Sequence, residues 1–199
     1  MPTDTERALW GLEESLDDVL SFVKGAAYGL RLATKRVGDL RSRARAVQSA
    51  KPQSAAEMER LVEALQNGED RLSDLAVLAI GDHFRAFLAR VLEREEPPPL
   101  PATPAGVEEL VGAPGALRHV PFWFALTLQL YRSVLRGGRL DQSAFEALGL
   151  TDLEIAYPGG KVKLFREGDH VTLTETQIEE AAAATVEAAR TIRLRLLTA

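Results

Sequence analysis

Residues 9–47, LWGLEESLDDVLSFVKGAAYGLRLATKRVGDLRSRARAV, decide the fold. Leu9, Leu12, Leu16, Val19, Val23, Ala26, Leu30, Ala33, Val37, Leu40, Ala44 and Val47 recur at alternating steps of three and four, the interval that brings side chains to one face of an α-helix. A seam of that length predicts a long helix packed against other helices, as in a bundle or coiled coil. Thr3 followed by Glu6 forms a capping-box pattern that opens this helix near Asp4, and no proline interrupts it before Pro52. Gly25, Gly29 and Gly38 each cost a helix about 1 kcal/mol relative to alanine, so a kink or split is expected near one of them. The same stretch holds the chain's charge anomaly. From Arg31 to Lys51, seven basic residues face a single Asp39, a local net of +6 in a chain whose formal net charge is −5.

Outward from this segment the helical pattern continues. Ser54 with Glu57 predicts a second helix that Asn67-Gly68 would stop at Gln66. A third, from about Glu69 to Glu95, carries a broad apolar stripe through Leu72, Leu75, Ala76, Ala79, Ile80, His83, Phe84, Phe87, Leu88 and Val91. Five prolines between 97 and 104 predict an extended surface connector. Thr103-Pro104 then reads as a cap and first position of a short helix ending at Val111. A strongly apolar helix is expected from Pro121 to Arg136, and Asp141 caps a brief one to Leu148. After Thr151 the period changes to two: Leu153, Ile155 and Tyr157, a Pro158-Gly159-Gly160 turn, Val162 and Leu164, and a Val171-Thr172-Leu173 run predict a small hairpin or meander over 151–173. Thr174 with Gln177 opens the last helix, to about Leu197. The expected architecture is mostly α: one helical-bundle domain over 1–199 with a long N-terminal helix and a small β-hairpin before the last helix.

A length of 199 residues with 46% hydrophobic composition supports a sizeable core. The absence of cysteine excludes disulfides, thiolate metal sites and cysteine nucleophiles, and fits a cytoplasmic location. The first residues are acidic and lack the apolar run of a secretory signal, and no segment reaches the roughly 18 apolar residues of a membrane span. No phosphate-loop, dinucleotide or nucleophile-elbow motif is present.

The three histidines offer little chemistry. His83 lies within the apolar stripe, where a packed histidine bonded to a neighbour is the simpler reading. Glu167 and His170 match Glu-x-x-His in letters, but Gly168-Asp169 makes a turn of it. Glu13-Glu14 and Asp17-Asp18 share a helix flank that reads as a solvated face. Neither a metal nor a cofactor is expected. The best functional candidates are Arg36, Arg41, Arg43 and Arg45, whose guanidinium groups spread over a wide arc of the helix and suit phosphate contacts; the competing reading pairs them with acidic residues of neighbouring helices or a second subunit. Phe122, Trp123 and Tyr131 belong to a helix apolar on all sides, which must be central or sit at a subunit contact.

Long helices followed by a small β element and a last helix resemble the HEPN superfamily of bacterial helical-bundle proteins. The local likeness is Phe165-Arg166-Glu167-Gly168-Asp169-His170-Val171-Thr172-Leu173-Thr174-Glu175, with a lesser one at Gly81-Asp82-His83-Phe84 leading into Phe87 and Leu88. Ribonucleases of that superfamily carry an arginine, four to six residues, then histidine. Here the positions five to seven before His83, His119 and His170 hold no arginine. The resemblance therefore implies a non-catalytic member that acts as a scaffold, nucleic-acid binder or partner of another protein; the surplus of apolar surface predicts a homodimer, the basic helix predicts nucleic acid or an acidic protein as partner, and no membrane contact is expected. Two alternatives stand beside it: a ribonuclease with a divergent site using His83 or His119, and a purely structural dimeric module.

Overall fold

The computed structural model describes residues 3–46, 52–157 and 160–198, with side chains at 40–46, 52–58 and 66 outside that description. Among the described residues it contains six helices and one two-stranded sheet: α1 (Asp4–Ala46), α2 (Pro52–Val91), α3 (Pro104–Val111), α4 (Phe122–Leu135), α5 (Gln142–Leu148), β1 (Leu153–Tyr157), β2 (Lys161–Phe165) and α6 (Glu175–Thr198). The mostly helical architecture is the expected one. No helix is long and apolar enough to cross a membrane among these residues.

The capping box closes the start of α1 reciprocally: Thr3 N donates to Glu6 Oε2 (2.9 Å) and Glu6 N to Thr3 Oγ1 (3.2 Å). From there α1 runs unbroken through all three glycines, so of the expected kink or split the split does not occur. Packing along the seam offsets their helix cost. Leu9, Leu12, Leu16 and Val23 are buried, while Val19, Ala26, Leu30, Ala33 and Val37 are half-buried, so the seam is fully covered only in its first half. Its last positions, Leu40, Ala44 and Val47, fall outside the described side chains.

The predicted second and third helices are one. Asn67-Gly68 does not stop α2 because Gly68 serves a different purpose: a Cβ there would lie 3.0 Å from Leu30 Cδ2, so the glycine admits α1 at close range. At the other end of the hairpin Gly11 faces the Arg90 guanidinium, which makes α1 and α2 antiparallel. The capping pair Ser54-Glu57 lies outside the described side chains. At its C-terminus α2 stops at Val91, short of the predicted Glu95. Glu93 turns to φ 51° and Arg94 N bonds back to Ala89 O (2.8 Å), a Schellman closure built without glycine.

α6 lies antiparallel along α1, fastened by Arg193 to Glu6, Arg190 to Glu13 (2.7 Å), Lys24 to Glu179 (2.8 Å) and Arg31 to Glu175 (3.0 Å). Its buried face is small, with Ala181, Ala182, Ala184, Ala188 and Ala189 all covered. α4 runs through the centre, burying Phe124, Leu126, Leu128 and Leu130, and Phe124 meets Phe84 edge to face at 5.3 Å. Because α6 begins beside Arg31, the fifteen residues Leu32–Ala46 continue past its end, about 22 Å of further helix accompanied by the start of α2.

The proline-rich connector is extended as expected, and Pro104 opens α3 with Thr103 Oγ1 accepting from Gly106 N (3.1 Å). Asp141 caps α5 through Ala144 N (3.0 Å). The sheet is smaller than the 151–173 hairpin predicted. β1 and β2 pair with Leu153 opposite Phe165 and Tyr157 opposite Lys161, but Val171–Leu173 is not a strand. That segment bonds instead to side chains of α2 and to the Tyr157 hydroxyl of β1.

Candidate functional site

The basic segment divides where α6 ends. Arg31 is neutralised by Glu175, whereas Lys35 and Arg36 are exposed and make no ion pair among the described residues. The backbone stays helical through Ala46, so positions 41 and 45 share a face and 43 lies on the other flank. The side chains of Arg41, Arg43 and Arg45 lie outside the described residues, as does Lys51.

At the root of this segment a cavity of about 530 Å³ opens between α1, α2, the β-hairpin and the start of α6. Its floor is apolar (Val23, Leu30, Leu72, Leu173, Ile178) and its rim is mixed in sign (Arg31, Lys163, Glu69, Asp70, Glu175). Beside it lies a cluster that sequence reasoning missed. His170 Nε2 sits 3.1 and 3.2 Å from the two carboxylate oxygens of Asp74, the Thr172 hydroxyl donates to Asp70, and Leu173 N donates to Ser73 Oγ (2.8 Å). One and a half turns of α2 thus hold the whole 170–173 segment. The other ring nitrogen, Nδ1, lies 3.4 Å from Thr172 Oγ1. The threonine proton is already committed to Asp70, so the group ties two segments together rather than activating a nucleophile. The only sequence signal was the Asp70/Asp74 spacing of four, uninformative without partners about a hundred residues away.

The remaining candidates scatter. His83 is half-buried in a groove between α1 and α2, and His119 is exposed after α3. Glu167 lies in the expected turn, with Gly168 at φ 86° and Asp169 N bonded to Arg166 O (3.0 Å), and the His170 ring is engaged by Asp74. Glu13 pairs with Arg190, while Glu14, Asp17 and Asp18 are exposed. Among the described residues no group of three or more histidines and carboxylates converges as metal ligands would.

Phe122 is 46% exposed, and with half-buried Trp123 it lines a groove beside β1 and the first turn of α6. Tyr131 is buried in the chain. Its hydroxyl donates to Asp82 Oδ1 (2.7 Å) and accepts from Arg85 Nη1 (3.2 Å), fastening α4 to α2. Burial, reinforced by the bond to Asp82, holds the phenol pKa above its ordinary value. Arg85 also donates to the carbonyls of Pro97 and Pro98, so the same group anchors the connector.

Comparison of the chain with family models, curated proteins and solved structures returned no match.

Proposed function

We propose that this chain is a non-catalytic, HEPN-like helical interaction protein that works as a homodimer and binds nucleic acid through the distal part of α1. The observation that carries the reading is the extension of α1 beyond α6. The acidic partners of Lys24 and Arg31 come from α6, and the last of them, Glu175, is spent on Arg31. From Lys35 onward the basic run continues past the end of α6, and a locally cationic helix attracts polyanions. Lys35 and Arg36 show the pattern directly, being exposed and without ion pairs among the described residues.

Phosphate contacts of this kind release counterions. Four arginines neutralising four phosphates make binding about 100-fold weaker between 50 and 200 mM salt. Fluorescence anisotropy of labelled single-stranded and duplex RNA and DNA, titrated with wild type and with the triple variant Arg41→Glu, Arg43→Glu, Arg45→Glu, tests this. Salt-sensitive binding that the variant loses supports the reading. Wild type that binds none of the four probes overturns it and leaves an acidic protein as the partner to seek.

A further inference from the structure

α1 has two charged flanks, and only one of them is satisfied. On the flank toward α6, Glu6, Glu13, Lys24 and Arg31 each have an ion-pair partner. Away from these pairs, Glu14, Asp17, Asp18, Lys35 and Arg36 are exposed and have none among the described residues; Glu14, Asp18 and Arg36 lie on the outer face, with Asp17 and Lys35 at its edge toward α6. That same outer face exposes large apolar side chains: Phe22 at 61% and Leu32 at 50%, with Leu75 of α2 at 57% beside Phe22 in the shared groove. Between them Gly25 and Gly29 stand open, with no atom within 4 Å of a Cβ built at either. Nothing within the chain makes use of their small size.

The order along this face is acidic, Phe22, Gly25, Gly29, Leu32, basic. Turning the helix end over end about residue 25 interchanges the two ends, so that position 14 falls opposite 36, 18 opposite 32, and 22 opposite 28 and 29. We propose that the occupant of this face is a second copy of the chain, docked antiparallel across Gly25. The contact is isologous: the acidic stretch 14–18 of one protomer lies along the partner's 32–36, with Glu14 opposite Arg36 and Asp17 and Lys35 at the same rim, and the reverse pairing repeats on the other side of the twofold axis. Phe22 seats over the opening at the partner's Gly29, which lets the two backbones approach closely. Opposite charges face each other only when the helices run antiparallel, since a parallel pairing sets acid against acid and base against base.

This inference gives a surface to the homodimer of the preceding section and stands without the nucleic-acid part of that reading. It also gives the dimer a consequence. Residue 43 lies 18 positions from the crossing point, so the two distal segments end about 54 Å apart and offer two separate basic contacts to a long polyanion.

The test is complementary charge reversal followed by sedimentation velocity across the micromolar range, without nucleic acid. One variant carries Glu14→Lys, Asp17→Lys and Asp18→Lys; the other carries Lys35→Glu and Arg36→Glu. Circular dichroism establishes that each retains its helix content. Wild type is expected to sediment as two chains, each variant alone as one, and an equimolar mixture of the variants again as two, because only the heterodimer pairs opposite charges at both ends. Monomeric wild type overturns the proposal and leaves the face to a different partner. Dimeric variants, or a mixture that stays monomeric, overturn it equally. Anisotropy with nucleic acid reads the other proposal independently.

Discussion

Gly81→Ala is expected to be severely destabilising, although alanine is the better helix former. A Cβ at this position would lie 2.1 Å from Tyr131 Cδ2, 2.5 Å from Cε2 and 2.7 Å from Cγ, so the methyl overlaps the face of the ring. The ring has nowhere to retreat. Tyr131 is 5% exposed and its hydroxyl is held by Asp82 (2.7 Å) and Arg85 (3.2 Å), so moving it breaks both bonds. Overpacking of a core costs about 1–3 kcal/mol, and each lost hydrogen bond about 1 kcal/mol. The gain in helix propensity from glycine to alanine returns about 1 kcal/mol. The net is a loss of about 2–4 kcal/mol. At a urea dependence of about 2 kcal/mol per molar, this lowers the unfolding midpoint by about 1–2 M at fixed protein concentration. Gly38→Ala provides the contrast. A Cβ built at Gly38 meets no atom within 4 Å, so no overlap offsets the propensity gain and the midpoint rises. In a Tyr131→Leu background Gly81→Ala is expected to cost at least about 1 kcal/mol less, since most of the ring is gone. A Gly81→Ala midpoint at or above wild type refutes the close approach of α2 and α4.

Asp141→Ala removes the cap of α5 and is expected to cost about 1 kcal/mol by urea unfolding. The Asp141 carboxyl is held below its ordinary pKa by its hydrogen bond from Ser143, helped by Ala144 N and the nearby Arg132 and Arg136. Its contribution is therefore fully present above the ordinary carboxylate pKa and lost as pH falls through the lower folded value. The side chain is half exposed, which keeps the effect modest, and Asp141→Asn is expected to flatten the stability profile below about pH 4 while retaining the cap. His170→Ala and Asp74→Ala should each destabilise by about 1–2 kcal/mol, with a double mutant costing less than the sum; strict additivity would show that the two do not interact. Leu126→Ala, in the fully buried centre of α4, should cost about 2–5 kcal/mol, and a smaller loss would mean that α4 is not central.

Several elements were legible from start signals that lie within a few residues. The reciprocal bonds of Thr3 with Glu6, the Thr174 and Gln177 pair (2.9 and 3.4 Å), the Thr103-Pro104 start and the Asp141 cap appear as their local chemistry dictates. The misreadings share one cause. Asn67-Gly68 has the composition of a helix stop, yet Leu30 on a different helix decides its use. Val171-Thr172-Leu173 has the composition of a strand, yet side chains take backbone bonds a neighbouring strand would have made: Leu173 N donates to Ser73 of α2 and Thr172 O accepts from the Tyr157 hydroxyl. Tyr131, grouped with Phe122 and Trp123 because their helix is apolar all round, is the member whose ring and hydroxyl are both used inside the chain.

Helix identity, caps, the seam of α1 and the charge of its distal half follow from the sequence alone, because they depend on periodicity and on groups within one turn of each other. Which flank of α1 pairs with α6, where the basic run passes the end of α6, and which residues of α2 clasp the 170–173 segment depend on contacts between positions as much as 187 residues apart. Periodicity names the face of a helix that is apolar but carries no record of what covers it, and only the packing of α6 along one side of α1 distinguishes a satisfied charge from an exposed one.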